Sequence, residues 1–240
     1  MEDADDRFGE RPSKLDDLVA AFPLIFFYAA LMAAHHNQLS VELRAIDGPG
    51  KLLVILKVLS ECGLFLYGAT VIVTLLFRNP PSVKAGGIAP RITALLGSFL
   101  SLGLLFLRPV SLPLGLQLVV LTMTTVGYGF AVVTLLHLKG SFSVMAEARR
   151  LVTDGPYTIV RHPLYASEFL YLFAVMLQFV QPWAIFIVTA QFFFQFVRMR
   201  NEETVLAMRF PEYQAYAAHT PQLIPGIYWC KGLSKAIQTL

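Results

Sequence analysis

The sequence predicts an all-α fold, a polytopic transmembrane helical bundle of about five to six membrane helices that includes a C-terminal helical hairpin. Three observations carry that expectation. Of 240 residues, 56% are hydrophobic and only 15% charged, whereas a soluble domain averages about 25% charged. The mean hydropathy is +0.61. The apolar residues fall into six segments, 18–34, 52–77, 92–107, 110–138, 166–180 and 183–197, and a spanning helix takes about 20 residues. This composition excludes disordered, collagenous and disulfide-scaffold classes. Cys62 and Cys230 are far apart and form no CxxC, so they argue neither for zinc nor for an oxidising compartment.

Residues 1–17 hold seven acids and three bases. They read as a polar cytoplasmic tail, not as the basic start of a secretory signal. Segment 18–34 is long enough to span, and 52–77 and 110–138 have length to spare. Segment 92–107 is slightly short, but Ile88–Ala89 and Pro109 extend its reach. The last two segments are short and flank Gln181-Pro182. Proline cannot continue the helical hydrogen-bond ladder, so 166–197 is either one kinked span or a hairpin.

The positive-inside rule favours the hairpin. With six crossings and a cytoplasmic N-terminus, 15 Lys and Arg residues lie inside and only Arg44, Lys51 and Arg108 outside. A single span over 166–197 would move the C-terminal bases outside. The hairpin also returns the chain after 197 to the side of the 139–165 loop. Three regions follow: the tail 1–17, transmembrane helices over 18–138, and a C-terminal region 139–240 that carries the chemistry. The basic excess after residue 17 is too scattered to argue for nucleic acid.

Two polar stretches beside the spans could build a site. The first reads KGSFSVMAEARRLVTDGPYTIVRHPLY, residues 139–165. Gly155-Pro156 signals a turn, and Pro163 marks a helix start. The free N–H groups there form an anion site, with Arg161 and His162 beside it. Tyr157 and Tyr165 offer aromatic faces that attract cations. Such a pairing suits a zwitterionic or sulfonium ligand; an interfacial Arg–Tyr anchor is the plain alternative. In the second stretch, Arg198, Glu202 and Leu206 share one helix face, and Glu203 stands about 100° from Glu202. Two adjacent carboxylates there could hold ligand hydroxyl or amino groups, or merely form an exposed ion pair.

The order GPYTIVRHPLYASEF, then a hairpin, then EETVLAMRFPEYQAYAAHTPQLIPG resembles the isoprenylcysteine carboxyl methyltransferase family and its phospholipid methyltransferase-like relatives. The resemblance covers roughly 139–228. It implies an integral membrane methyltransferase, multi-pass, with a cytoplasm-facing S-adenosyl-L-methionine site and a lipophilic or prenylated acceptor entering from the bilayer. By the same resemblance Arg150, Leu151 and Val152 line the cofactor, and Tyr157 contacts it. His162, Pro163, Leu164 and Tyr165 form the HPxY stretch beside it, Glu202 and Glu203 are its acidic pair, and Arg198, helped by Arg161, orients the acceptor.

Two departures stand out. Ser167 occupies a place where the family usually has glycine, and Glu168 follows it. An acid there resembles the RHPNYxGE block of membrane sterol reductases, which bind NADPH. GPY and Leu164 in place of that group's GLW and asparagine favour the methyltransferase. Arg149-Arg150 is the one candidate for a 2′-phosphate patch. Gly127-Tyr128-Gly129 resembles a GxG of phospholipid-methylating relatives, although close packing of small residues between membrane helices is the favoured explanation. Lys57 and Glu61, at i and i+4 in the second span, open a transporter reading. His35-His36 is no metal site, and no metal is expected.

Overall fold

The computed structural model describes residues 14–44 and 50–227. The expected tail up to residue 13, Cys230 and the rest of 228–240 lie outside the described residues. Helix α1 spans Lys14–Arg44 and α2 spans Lys51–Leu76. Helix α3, Ala89–Phe99, continues as a 3₁₀ helix over Leu100–Phe106, and α4 spans Leu114–Leu138. Helices α5, Pro163–Met176, and α6, Trp183–Arg209, follow, and the short α7 covers Tyr213–His219. Among the described residues four helices are long and apolar enough to cross a membrane: α1, α2, α3 with its extension, and α4. Their outward apolar side chains stay uncovered, as with Phe22, Phe26 and Phe106. Lipid is the solvent these faces suit.

Helix α1 is longer at both ends than its apolar segment. Its polar end is held by α2: His35 Nδ1 lies 3.0 Å from Glu61 Oε2, and Lys57 Nζ lies 3.3 Å from Glu42 Oε1. Lys57 therefore pairs across to α1 and not along its own helix to Glu61. The 166–197 region forms two helices. Tyr165 meets Glu202, Glu168 meets Gln195 and Phe169 meets Phe192. The numbers rise on α5 as they fall on α6, which is an antiparallel hairpin.

Helix α4 packs along both α2 and α5, and α3 packs on α6. One apolar core joins Tyr67, Val71 and Leu75 of α2 to Ala131 and Leu135 of α4 and Leu164 of α5. A second lies at the opposite end, between the 3₁₀ extension and the hairpin. Helices α4 and α5 approach closely at Gly127. A Cβ there would stand 2.9 Å from Tyr171 Cβ and 3.3 Å from the Ser167 carbonyl. A Cβ on Gly129 would meet nothing within 4 Å. Gly127 is thus a packing glycine, and the small Ser167 keeps the approach close from the other side.

Two short strands tie the polar loops together. Strand β1, Val83–Lys84, pairs antiparallel with β2, Glu147–Ala148. Beneath this ladder Asp17 of α1 receives Arg78 Nε at 2.7 Å and Arg149 Nη2 at 2.8 Å. Arg149 also donates to Glu147 at 2.7 Å and to the Asn79 carbonyl. The start of α1, the 78–91 loop and the 139–165 loop therefore gather at one end of the bundle.

The packing account gives a direct expectation. Gly127→Leu should lower stability in detergent by roughly 1–3 kcal/mol, the usual cost of overpacking, read as a lower unfolding midpoint. Gly129→Leu should leave that midpoint nearly unchanged.

Candidate functional site

At the end where the polar loops meet, the loop before α5 is fastened to α6 by one carboxylate. Arg161 Nε donates to Glu203 Oε1 at 2.8 Å, and His162 Nε2 donates to the same oxygen at 3.0 Å. Arg161 Nη1 reaches the carbonyls of Ala217 and Thr220, both at 2.8 Å. The backbone N–H groups of Arg161 and His162 donate to Pro221 and Gln222. Arg161, His162 and Glu203 are all buried. Burial alone would push the Glu203 carboxyl up, but the His162 hydrogen bond and the Arg161 charge hold it below its ordinary value. The chain after α7 is thereby laid against the start of α5, which begins at Pro163 with His162 as its N-cap.

Around this clamp lies a cavity with about 790 Å³ of empty space, its open mouth included. Ten of the twelve sequence-predicted residues line it: Arg150, Leu151, Val152, Tyr157, Arg161, His162, Leu164, Tyr165, Arg198 and Glu202. Pro163 and Glu203 stand outside the lining. The two adjacent glutamates thus diverge, as their 100° offset on α6 requires. Glu203 points back to the clamp. Glu202 faces the cavity, where its Oε1 accepts from Tyr165 Oη at 2.6 Å and Arg198 Nε at 3.0 Å. No other hydrogen bond among the described residues reaches Glu202 Oε2.

Arg198 is engaged on every nitrogen. Besides Glu202 it donates from Nη1 to Ser98 Oγ at 2.9 Å and from Nη2 to the Ser143 carbonyl at 3.1 Å. Its guanidinium also sits 5.1 Å from the centre of the Tyr165 ring. Tyr157 is buried, and burial together with the Glu202 charge pushes its phenol well above the ordinary value. It is a neutral aromatic face and cannot serve as a base near pH 7. Tyr216 Oη fixes it by donating to its carbonyl at 2.6 Å.

The sequence reading missed several lining residues, among them Phe142, Glu147, Tyr213 and Tyr216, and it named Arg149 only for a 2′-phosphate patch. Two of these carry buried polar atoms with no hydrogen-bond partner, Arg149 Nε and Tyr213 Oη. The clamped cavity, with its carboxylate, tyrosines and arginines, is drawn from α4 to α7. The stretch from α4 to α6 is also where a family similarity falls.

Residues 118–208 match the isoprenylcysteine carboxyl methyltransferase (ICMT) family. The ICMT match runs from within α4 to within α6 and contains all twelve predicted site residues. Two curated relatives are also similar to the chain. The chain is 32% identical over 106 residues to the nickel-cobalt-cadmium resistance protein NccN of Alcaligenes xylosoxydans xylosoxydans, covering 43% of this chain and 46% of that protein. It is 34% identical over 86 residues to the cobalt-zinc-cadmium resistance protein CzcN of Cupriavidus metallidurans, covering 35% of this chain and 39% of that protein. The chain thus spans less than half the length of each relative. Among the described residues no group of three or more His, Cys, Asp or Glu could hold a metal ion.

The clamp makes a pH-dependent prediction. The Glu203 carboxyl is held below 4.5, so its contribution is complete above that pH and is lost as acid protonates the folded group. Glu203→Ala should destabilise by about 3–5 kcal/mol, the cost of stranding buried partners. In detergent, the variant's unfolding midpoint should fall less than the wild type's between pH 6 and pH 3.

Proposed function

We propose that the chain is an integral membrane methyltransferase that binds S-adenosyl-L-methionine in the clamped cavity, on the cytoplasmic side, and methylates a lipophilic acceptor. The observation that carries the reading is the convergence of ten residues of the methyltransferase-like motifs on one cavity, within the ICMT match.

The donors and acceptors present suit the cofactor's parts. Glu202 Oε2 is open to a hydroxyl or amino group. The first-turn N–H groups of α5 have no intrahelical acceptor and favour a carboxylate. Tyr157 and Tyr165 present ring faces to a cation. When bound, the sulfonium supplies an electrophilic methyl group. The protein's part is to hold acceptor and donor in line and to exclude water. Arg198 then acts as a wall that orients Glu202 and Tyr165, and Arg161 and Glu203 position the loop that carries His162.

Two other readings have less support. A reductase needs a basic patch for a 2′-phosphate, and Arg149 is instead engaged with Asp17 and Glu147. A transporter built on Lys57 and Glu61 lacks that pair, since Lys57 bonds Glu42.

Calorimetry on the detergent-purified protein tests the proposal. S-adenosylhomocysteine should bind, and NADPH should give no heat. Glu202→Ala should weaken binding at least ~10-fold, equivalent to about 1.4 kcal/mol. Binding of NADPH alone would overturn the reading.

A further inference from the structure

A second cavity, with about 840 Å³ of empty space including its mouth, lies deeper in the bundle. It shares Phe142 and Arg198 with the first, so these two side chains form the partition between them. Its lining is unusual for the interior of a membrane bundle. Four tyrosines meet there, one from each of four helices: Tyr28 of α1, Tyr67 of α2, Tyr128 of α4 and Tyr171 of α5. Tyr28 Oη and Tyr67 Oη are 3.3 Å apart, and the Tyr128 and Tyr171 rings are 4.8 Å apart. Among them sits a carboxylate, Glu168 of α5.

An ionisable group within an apolar bundle is costly and points to function. Gln195 Nε2 donates to Glu168 Oε2 at 2.7 Å, and no second hydrogen bond among the described residues reaches this carboxyl. The Gln195 amide is buried and its own Oε1 has no partner, so its nitrogen is committed to holding Glu168. Tyr165 and Glu168 are three residues apart on α5 and share a face. Tyr165 looks into the first cavity and Glu168 into the second.

We propose that the second cavity is the acceptor chamber, that its acceptor is an amine on an apolar chain, and that Glu168 binds the amine and takes its proton. This deepens the methyltransferase reading and rests on it. The charge pattern decides between acceptors. Arg198 is paired with Glu202 and has all its nitrogens engaged, so its charge is compensated at the partition. Glu168 has no direct ion pair among the described residues, and Arg198, on the wall of the same chamber, acts on it only through space. An anionic carboxylate entering this chamber would face Glu168 with like charge, whereas an amine donates to it and finds tyrosine faces around it. Leu24, Phe27, Leu31 and Leu64 are also among its lining and suit an alkyl tail.

The step balances. The lone pair of a neutral amine forms a bond to the methyl carbon of the sulfonium donor as the carbon–sulfur bond breaks. The nitrogen's proton then passes to the Glu168 carboxylate, leaving a methylated amine and a neutral thioether. A base so placed is worth typically 10²–10⁴-fold in rate.

The test uses the full chain in nanodiscs of phosphatidylcholine, a lipid with no primary amine, with S-adenosylhomocysteine present in the binding measurements only. Calorimetry would compare dodecylamine, dodecanoate and ethanolamine, and methyl transfer from labelled S-adenosylmethionine would be followed for each. Dodecylamine should bind and be methylated, and dodecanoate should do neither. Weak or absent binding of ethanolamine would identify a lipid-borne amine; equal binding would identify a small soluble amine and remove the apolar tail from the proposal. Glu168→Gln should keep homocysteine-ligand binding while losing dodecylamine binding and at least 100-fold of its methylation. Methylation of dodecanoate in preference to dodecylamine by the wild type would overturn the proposal without any variant. So would a Glu168→Gln protein that handles the amine as the wild type does. Failure of the homocysteine ligand to bind the wild type would instead sink the methyltransferase reading beneath it.

Discussion

The site depends on one oxygen atom, Glu203 Oε1, which accepts from both Arg161 and His162. Through it the loop before α5 is fixed to α6, and through Arg161 the strand of chain after α7 is fixed to both. A buried ion pair of this kind adds little net stability over an apolar substitute, but losing one partner is expensive. Its effect is positional. It sets where α5 begins, and so where the first-turn N–H groups, Tyr165 and Glu168 point.

A second polar anchor does the same for the far wall. Asp17 gathers Arg78 and Arg149, which are 61 and 132 residues away in the chain. The two-residue ladder between β1 and β2 holds the loops in register above it. In an apolar bundle the helices have weak means of choosing their relative heights, because lipid competes for the same surfaces. Paired charges at one end supply that choice. The cavities then follow: one beside the anchored loops, the other between the helix ends beneath them, with Arg198 between.

Much of this was legible in the sequence, for identifiable reasons. Hydropathy and length marked the helices, Pro163 marked the start of α5, and Gln181-Pro182 marked the hairpin turn. These are local signals, each set by a few neighbouring residues. The grouping of Arg150, Tyr157, His162, Tyr165 and Glu202 was available from the motif order. The separate destinations of Glu202 and Glu203 depend on what packs on each side of α6, which no spacing discloses. The tyrosine cluster was invisible because each helix contributes one residue. Asp17 read as part of an acidic tail because its partners are remote. The polar extension of α1 past residue 34 was missed because its support comes from α2, through Glu61 and Lys57, and not from its own composition.

The central claim is that the clamped cavity between the 139–165 loop and α6 holds the methyl donor. Ultraviolet crosslinking of S-adenosylmethionine to the purified protein, followed by mass-spectrometric mapping of the modified peptides, tests it most directly. The account predicts adducts confined to peptides from 142–165, 198–206 and 213–216, suppressed by excess S-adenosylhomocysteine. Competable adducts on α1 or α2, with none on those peptides, would contradict it.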